Sequence, residues 1–170
     1  MTKKRRKENF LKEYNYMLNR IWVFMLLLNF SSCNNSEFLK FYDFDNGWEK
    51  NEVLTFNFPR KIESKAKDVF FVLRHNNNYP YSNIFLITEL QNPTNQVIID
   101  TFEFRLAQKN GEWLGDKKVS MIEHKLLFKE GLKLGENDFS LKVRTSMRSN
   151  NKSDEIEKLD GVINFGILID

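Results

Sequence analysis

Cysteine, proline and glycine are scarce in this chain of 170 residues, which has one cysteine, three prolines and seven glycines. The single cysteine, Cys33, has no second thiol for an intramolecular disulfide, so a folded domain must depend on its apolar core. Sixteen phenylalanines supply that core, and they exclude a disordered tail or a low-complexity linker. The length suits one domain.

The short motifs that carry enzymatic chemistry are also missing. The sequence contains no G-x-S-x-G and no P-loop. His75 and His124 have no partner at metal-binding spacing, and we interpret them as solvated or edge residues. Asp43–Glu49 has acids at alternate positions, but a calcium loop that starts there needs a Glu where the chain has Leu54. We therefore predict no enzyme activity, no metal, no other cofactor and no small-molecule substrate.

No apolar run is long enough to span a bilayer as a helix, which takes about 20 residues. Near the N-terminus the longest apolar run is Ile21–Leu28. It follows a basic segment and precedes small residues, which is the order of a secretory signal, and we call this N-terminal part the leader. The stretch LNFSSC, which ends at Cys33, resembles the lipobox of bacterial lipoproteins in its Bacteroidota form. Phe30 stands where that pattern usually has Leu.

The lipobox implies that the Cys33 sulfur carries a diacylglyceryl group and that a peptidase cuts just before it. The expected organisation is a signal peptide over residues 1–32, a lipidated tether over 33–40 and a folded domain over 41–170. Met17 is an alternative start. Acyl chains would anchor the protein to a membrane, since each buried CH₂ contributes about 0.8 kcal/mol. A buried free cysteine is the alternative interpretation.

Removing the leader changes the charge of the chain. From Asn34 onward there are 19 basic and 21 acidic residues, so no basic surface favours nucleic-acid binding. Glu37 is the only acid among the four residues after Cys33. Surface export of lipoproteins in Bacteroidota tends to need an acidic run there, so we expect a domain that faces the periplasm.

Hydrophobic residues recur mainly with a period of two, which is typical of β-strands. Alternating runs occupy 54–58, 102–106 and 139–148, and runs that are apolar throughout occupy 69–73, 84–87 and 162–168. Residues 119–128 fit either a strand or a short helix. Asn110-Gly111 predicts a hairpin turn, and polar residues 147–158 predict a mobile loop. We predict an all-β fold, an antiparallel β-sandwich of about seven or eight strands.

Several motifs resemble the GldH-type gliding-motility lipoproteins of Bacteroidota. Those motifs are YPYSNIFLITEL at 79–90, DTFEFRLAQKNGEWLG at 100–115, Met147-Arg148 and Gly161-Val162. The resemblance covers nearly all of 41–169. It departs from the family at 116–118, where Asp-Lys-Lys replaces a glycine-rich stretch.

The resemblance implies a non-catalytic role in gliding, together with other envelope proteins and the type IX secretion system. The candidate interaction surface comprises Arg74, Tyr79, Tyr81, Asn83, Trp113 and Arg148. Tyr79, Tyr81 and Trp113 also suit a glycan-binding surface lipoprotein, because aromatic rings stack on sugars. The alternative is that these rings plug the ends of the sandwich, which is the favoured interpretation for Trp113 and is left open for Tyr79 and Tyr81. A hydrolase is the least favoured alternative.

Overall fold

The computed structural model describes Met17, Arg20 and residues 38–58, 66–92, 94–133, 139–149 and 155–170. Cys33 and its lipobox lie outside the described residues, so lipidation stays a prediction. The chain divides into two units, Met1–Asn35 and Ser36–Asp170. Within the described part, no helix has the length and apolarity that a membrane crossing requires.

The unit Ser36–Asp170 is built from β-strands, as the alternating pattern predicts. The described strands are β1 Phe38–Asp43, β2 Trp48–Glu49, β3 Leu54–Asn57, β4 Ala66–His75, β5 Asn83–Gln91, β6 Val97–Arg105, β7 Asp116–Lys117, β8 Ile122–Lys133, β9 Ser140–Thr145, β10 Lys158–Leu159 and β11 Val162–Ile169. The ambiguous segment 119–128 contributes to strand β8, because its residues pair with β4 in antiparallel register.

The strands form two main sheets and a short ribbon. The large sheet has the order β1-β11-β4-β8-β7, the small sheet has the order β3-β9-β5-β6, and β10 pairs with β2. Every pairing is antiparallel. The predicted antiparallel β-sandwich is confirmed, with more strands than predicted because short strands such as β2, β7 and β10 carry no periodic signal.

Aromatic side chains fill the space between the two sheets. Phe165 on β11 lies 5.2 Å from Phe71 on β4 and 6.4 Å from Phe56 on the opposite sheet, measured between ring centroids. Phe71 also meets Phe104 of β6 edge-on at 6.0 Å. Phe71, Phe56 and Phe165 are fully buried. These contacts hold the sheets face to face, which is how phenylalanine content becomes a core.

Strands β1 and β3 close one side of the sandwich. Tyr42 Oη and Lys40 Nζ both donate to the carbonyl of Thr55, and the Phe38 and Phe58 rings meet at 5.9 Å. These contacts pack β1, which begins at Phe38, against the small sheet. On the other side of the small sheet, β6 is the terminal strand.

The strands formed by the runs that are apolar throughout differ in how their outer faces are covered. Strands β4 and β11 lie inside the large sheet, and the ring of Phe41 covers Gly166 so closely that an added Cβ would be 2.5 Å from it. Strand β5 is also interior to its sheet, but its outward Phe85 and Ile87 are only half-buried. That difference leaves an apolar floor on the outside of the small sheet.

Replacing Phe165 with Ala should lower the free energy of unfolding by about 3–5 kcal/mol, since it removes a buried ring and leaves a cavity. Phe165 contacts Trp48, Phe56 and Phe71. Urea unfolding measures the change. Val119→Ala, at a fully exposed position, should change stability by less than about 0.5 kcal/mol. Equal losses in the two variants would contradict the packing argument.

Candidate functional site

An open groove with a volume of about 820 Å³ lies on the outer side of the small sheet. Phe85 and Ile87 from β5 and Thr101 from β6 belong to its lining and form an apolar floor with a polar edge. The walls come from residues 80–82, before β5, and 146–149, after β9. The volume lies within the range of about 300–1,000 Å³ that is typical of binding sites.

Three of the six predicted interaction residues meet in this groove. Tyr81, Asn83 and Arg148 all line it, although they are far apart in sequence. Asn83 is held by a 2.7 Å hydrogen bond from its Nδ2 to Glu103 Oε1. Arg148 is exposed, and its backbone forms an isolated antiparallel β-bridge with the backbone of Glu155. The groove therefore offers a phenol, an amide and a guanidinium above an apolar floor.

Hydrogen bonds between β5 and the end of β9 hold the two walls together. The backbone N–H of Phe85 donates to Met147 Sδ at 3.2 Å, and the N–H of Ser146 donates to the Phe85 carbonyl at 2.9 Å. Ile156 donates to the Met147 carbonyl across the segment predicted as a mobile loop. Residues 150–154 of that segment lie outside the described residues, so its predicted mobility is not tested.

Tyr79 and Trp113 belong to a second, buried cluster with the two histidines. The His75 ring lies 4.4 Å from Trp113, 5.0 Å from Tyr79 and 5.1 Å from His124. Tyr79 is 2% exposed and donates its hydroxyl to the Asn83 carbonyl at 2.9 Å. Half-buried Trp113 covers the cluster, as the plugging interpretation expects.

The Tyr79 ring also joins this histidine–aromatic cluster to the groove. It meets Tyr81 edge-on at 5.6 Å, and the hydroxyl bond described above reaches the backbone of Asn83. Burial raises the pKa of the Tyr79 hydroxyl well above its ordinary value. Tyr79 therefore remains a neutral donor that supports the groove from behind instead of presenting a ring at its surface.

The interpretation of His75 and His124 as solvated or edge residues is wrong. They are 0% and 3% exposed, and their Nε2 atoms are 3.0 Å apart. His75 follows the buried Leu73 by two residues, and His124 follows the buried Ile122 by two. Strand periodicity therefore places both rings on the core face, and it was the signal that could have identified them.

The hydrogen bonds assign the tautomers of this pair. His75 Nδ1 lies 2.8 Å from the Asn76 carbonyl, which can only accept, so this nitrogen carries the proton. In a neutral ring the His75 Nε2 is then an acceptor, and His124 Nε2–H donates to it. Burial lowers the pKa of both histidines. The pKa of His124 falls to about 4, because repulsion from a protonated His75 adds to the effect of burial, while the negative charge of Asp116 acts in the opposite direction. Both rings are neutral at pH 7.

Arg74 lies on the opposite, outward face of the same β4–β8 pair. It is directly across from Glu123, and Arg74 Nε donates to Glu123 Oε2 at 2.6 Å. The guanidinium also lies 4.2 Å from the Phe41 ring centroid. Arg74 thus joins three strands of the large sheet and does not reach the groove.

Two glycines permit close backbone approach around the histidine–aromatic cluster. A Cβ on Gly115 would lie 2.5 Å from the Glu123 carbonyl oxygen and 2.8 Å from His124 Nδ1. Gly161 has φ +82°, and its Cβ would lie 2.5 Å from the Tyr79 backbone nitrogen. The divergent segment that follows Gly115 forms β7, which pairs with the start of β8.

Among the described residues, no group of three or more His, Cys, Asp or Glu side chains is arranged to hold a metal ion. The two histidine Nε2 atoms face each other and are used in their mutual hydrogen bond. The side chains in the groove are suited to contacts with another molecule's surface. Fold and site together define an all-β sandwich domain with an open, mixed apolar and polar groove.

The chain belongs to the GldH lipoprotein family, whose sequence model matches residues 37–169. A protein named gliding motility lipoprotein GldH homolog, from Christiangramia forsetii, is 36% identical over 151 residues, which cover 88% of this chain and 93% of the relative. The gliding motility lipoprotein GldH of Flavobacterium johnsoniae is 29% identical over 150 residues, covering 88% and 94%. The family resemblance seen in the sequence motifs is confirmed.

Two solved structures show a weak similarity to the chain: the infectious bursal disease virus VP2 subviral particle and the infectious bursal disease virus Gx strain. Both comparisons give a TM-score of 0.30 and 10% identity over 80% of this chain. The chain spans about a third of the length of those chains, 34% and 33%. These values carry no argument about function.

Gly161→Ala should destabilise the protein more than Gly111→Ala, although both glycines have positive φ. Gly111 has φ +84° with nothing within 4 Å of an added Cβ, so only backbone strain of about 1–2 kcal/mol is expected. Gly161→Ala adds a clash with the backbone at Tyr79, which should cost about 1–3 kcal/mol more. Thermal and urea unfolding compare the two variants. Equal losses would contradict the close approach at Gly161.

Acid should weaken the fold through His124, whose pKa is about 4 when folded and 6.5 as the ordinary value. As the pH falls from about 6.5 to about 4, the unfolded chain binds protons that the folded chain excludes. The free energy of unfolding should be at its full value above pH 6.5 and fall by about 3 kcal/mol across that window. Urea unfolding at pH 7 and pH 4.5 measures the change.

His124→Gln provides the control for the acid prediction, because its amide N–H₂ can still donate to His75 without titrating. Carboxylates elsewhere titrate alike in both proteins, so the difference between the two pH profiles isolates the histidine. We expect the variant to lose less stability than the wild type between pH 7 and pH 4.5. Parallel profiles would contradict the role of the buried pair.

Proposed function

We propose that this chain is a lipid-anchored component of the gliding machinery and acts by docking to other envelope proteins, without catalysis. The single observation that carries this proposal is the family match over residues 37–169. Relatives named for gliding motility align over 93% and 94% of their own lengths. The matched range therefore covers nearly all of the folded domain, including the positions that line the groove.

The proposed anchor is the acylated Cys33, the first residue of the mature chain. Its support is the sequence: a basic segment, the apolar run Ile21–Leu28 and Ser31-Ser32 before the cysteine. The lipid would hold the sandwich at the membrane surface through the short segment between Cys33 and β1, since residues 38–40 of the predicted tether belong to β1. With a single acid, Glu37, close behind Cys33, the domain would face the periplasm.

The proposed docking surface is the groove on the small sheet. Tyr81 and Arg148 are of the residue types that most often dominate binding energy at protein interfaces. The apolar floor of Phe85 and Ile87 would lose contact with water when a partner binds. A partner within the gliding and type IX secretion apparatus fits this arrangement.

Glycan binding is less well supported than protein docking. The platform interpretation needs rings whose faces are open to solvent, and Tyr79 is buried. Trp113 packs against His75, so its ring is partly used inside the domain. Tyr81 is the one of the three that lines the groove.

Deletion of the gene in a gliding strain should abolish colony spreading, and complementation with the wild-type gene should restore it. Cys33→Ala should fail to restore spreading, because the domain loses its membrane anchor. Time-lapse microscopy, colony diameter and export of a type IX cargo measure the effects. Normal spreading together with normal export in the deletion strain would overturn the proposal.

Groove variants separate docking from stability. Tyr81→Ala combined with Arg148→Glu should reduce spreading strongly while the protein still accumulates, since Arg148 is exposed and Tyr81 is only half-buried. Lys109→Glu, in the exposed turn after Ala107, is the matched control for a change of charge and should spread normally. Immunoblotting of membranes measures accumulation. Full spreading by the double variant would exclude the groove as the docking surface.

A further inference from the structure

The two strands of the β5–β6 hairpin differ sharply in burial. They pair over nine residues, and every second residue of β5 is buried. In β6 the first five residues are exposed, and among them Val97, Ile98 and Ile99 are 49%, 46% and 67% exposed. Three consecutive branched apolar residues on a terminal strand are unusual, because such edges readily add another strand.

In the described part of the chain no strand pairs with the outer edge of β6, which presents a row of backbone groups. The Phe85 carbonyl accepts from Ser146 N–H, so the backbone groups of Phe85 point toward β9 and away from β6. Because backbone groups alternate in direction along β5, those of the preceding residue, Ile84, point toward its β6 partner Phe104. The same alternation on β6 turns the backbone groups of Val97, Ile99, Thr101 and Glu103 outward, along the edge.

Asp100 occupies the middle of this edge. Its Oδ1 accepts the Thr101 backbone N–H at 2.8 Å, so this amide already has an acceptor and an added strand would pair with the groups of Val97, Ile99 and Glu103. A carboxylate at an edge opposes uncontrolled pairing between copies. Thr101 also lines the groove, so the edge is continuous with the proposed docking surface.

Strand β6 itself carries two acidic side chains and one basic side chain. Asp100 and Glu103 lie on β6, and Glu89 lies opposite Ile99 on β5. Three basic side chains lie nearby: Lys142 is 4.0 Å from Glu89, Arg144 of β9 lies opposite Ile87, and Arg105 donates to the Ala107 carbonyl. Asn83 donates a neutral hydrogen bond to Glu103. A second copy of this chain would bring the same two β6 carboxylates to the edge, whereas a basic strand would complement them.

We propose that the edge of β6 binds an extended segment of a partner protein by β-strand addition. The added strand would place branched apolar side chains beside Val97–Ile99 and Lys or Arg beside Asp100 and Glu103. Backbone pairing supplies affinity in this mode, and the alternating side chains supply specificity. This inference deepens the proposed function and rests on it, because it states the chemistry of the partner.

A direct test uses the full-length lipidated chain in detergent and a fluorescent peptide of alternating valine, threonine and lysine, as long as the nine-residue β6. Fluorescence anisotropy should show saturable binding. A peptide N-methylated at alternate amides should bind at least about tenfold more weakly, because it lacks the ladder donors. A peptide with glutamate in place of lysine should be weakened similarly.

Two matched variants of the chain locate the site. Ile99→Lys places a like charge beside the lysine peptide and removes an exposed apolar side chain, so affinity should fall at least about tenfold. Val119→Lys makes the same type of change at a fully exposed position outside β6 and should leave affinity unchanged. Circular dichroism and unfolding curves should show that both variants fold.

Three results would overturn the inference. They are absence of binding by the lysine peptide, equal binding by the N-methylated peptide, and equal binding by the Ile99→Lys protein. Dimers of the free chain that Ile99→Lys dissolves, seen by light scattering, would show instead that a second copy covers the edge. If gene deletion stops spreading while a strain with Ile99→Lys spreads normally, the inference fails and the proposed function stands.

Discussion

The aromatic contacts between the two sheets are the constraint on which the rest of the structure depends. Phe165 and Phe71 project from the large sheet and meet Phe56 and Phe104 of the small sheet. With no disulfide available, these rings must provide the cohesion that holds the sheets at a fixed separation. Once the sheets are packed together, the end of β4, the start of β8 and the segment before β5 come close, which forms the histidine–aromatic cluster. The same segment before β5 continues into the wall of the groove.

The histidine–aromatic cluster and the groove form one continuous arrangement through Tyr79. On its inner side Tyr79 packs against His75, and on its outer side it meets Tyr81 and holds the backbone of Asn83. Residues that are buried can therefore matter to a surface that they never touch. This explains why motifs spread over most of the chain include both core and surface positions: some shape the groove, and others support it from within.

Most of the fold could be predicted, because period-two patterning reports directly which residues face a core. Strands β3, β5, β6, β9 and β11 fall on the predicted runs. The site was harder. Tyr81, Asn83 and Arg148 were expected to act together and do share a groove, but Arg74 lies on another face and Tyr79 lies inside. The histidines were misjudged because metal-binding spacing considers neighbours in sequence, whereas His75 and His124 are 49 residues apart and pair with each other across two strands.

The sequence by itself determined the strands, their faces and membership of the family, and it predicts a leader with a candidate lipid cysteine. Each of these depends on residues close together in the chain or on a pattern read along it. Only the tertiary structure decided the order of strands in the sheets, the pairing of His75 with His124 and the exposure of β6 at an edge. Those features depend on which strands become neighbours, and that choice is made by the fit of side chains from distant segments.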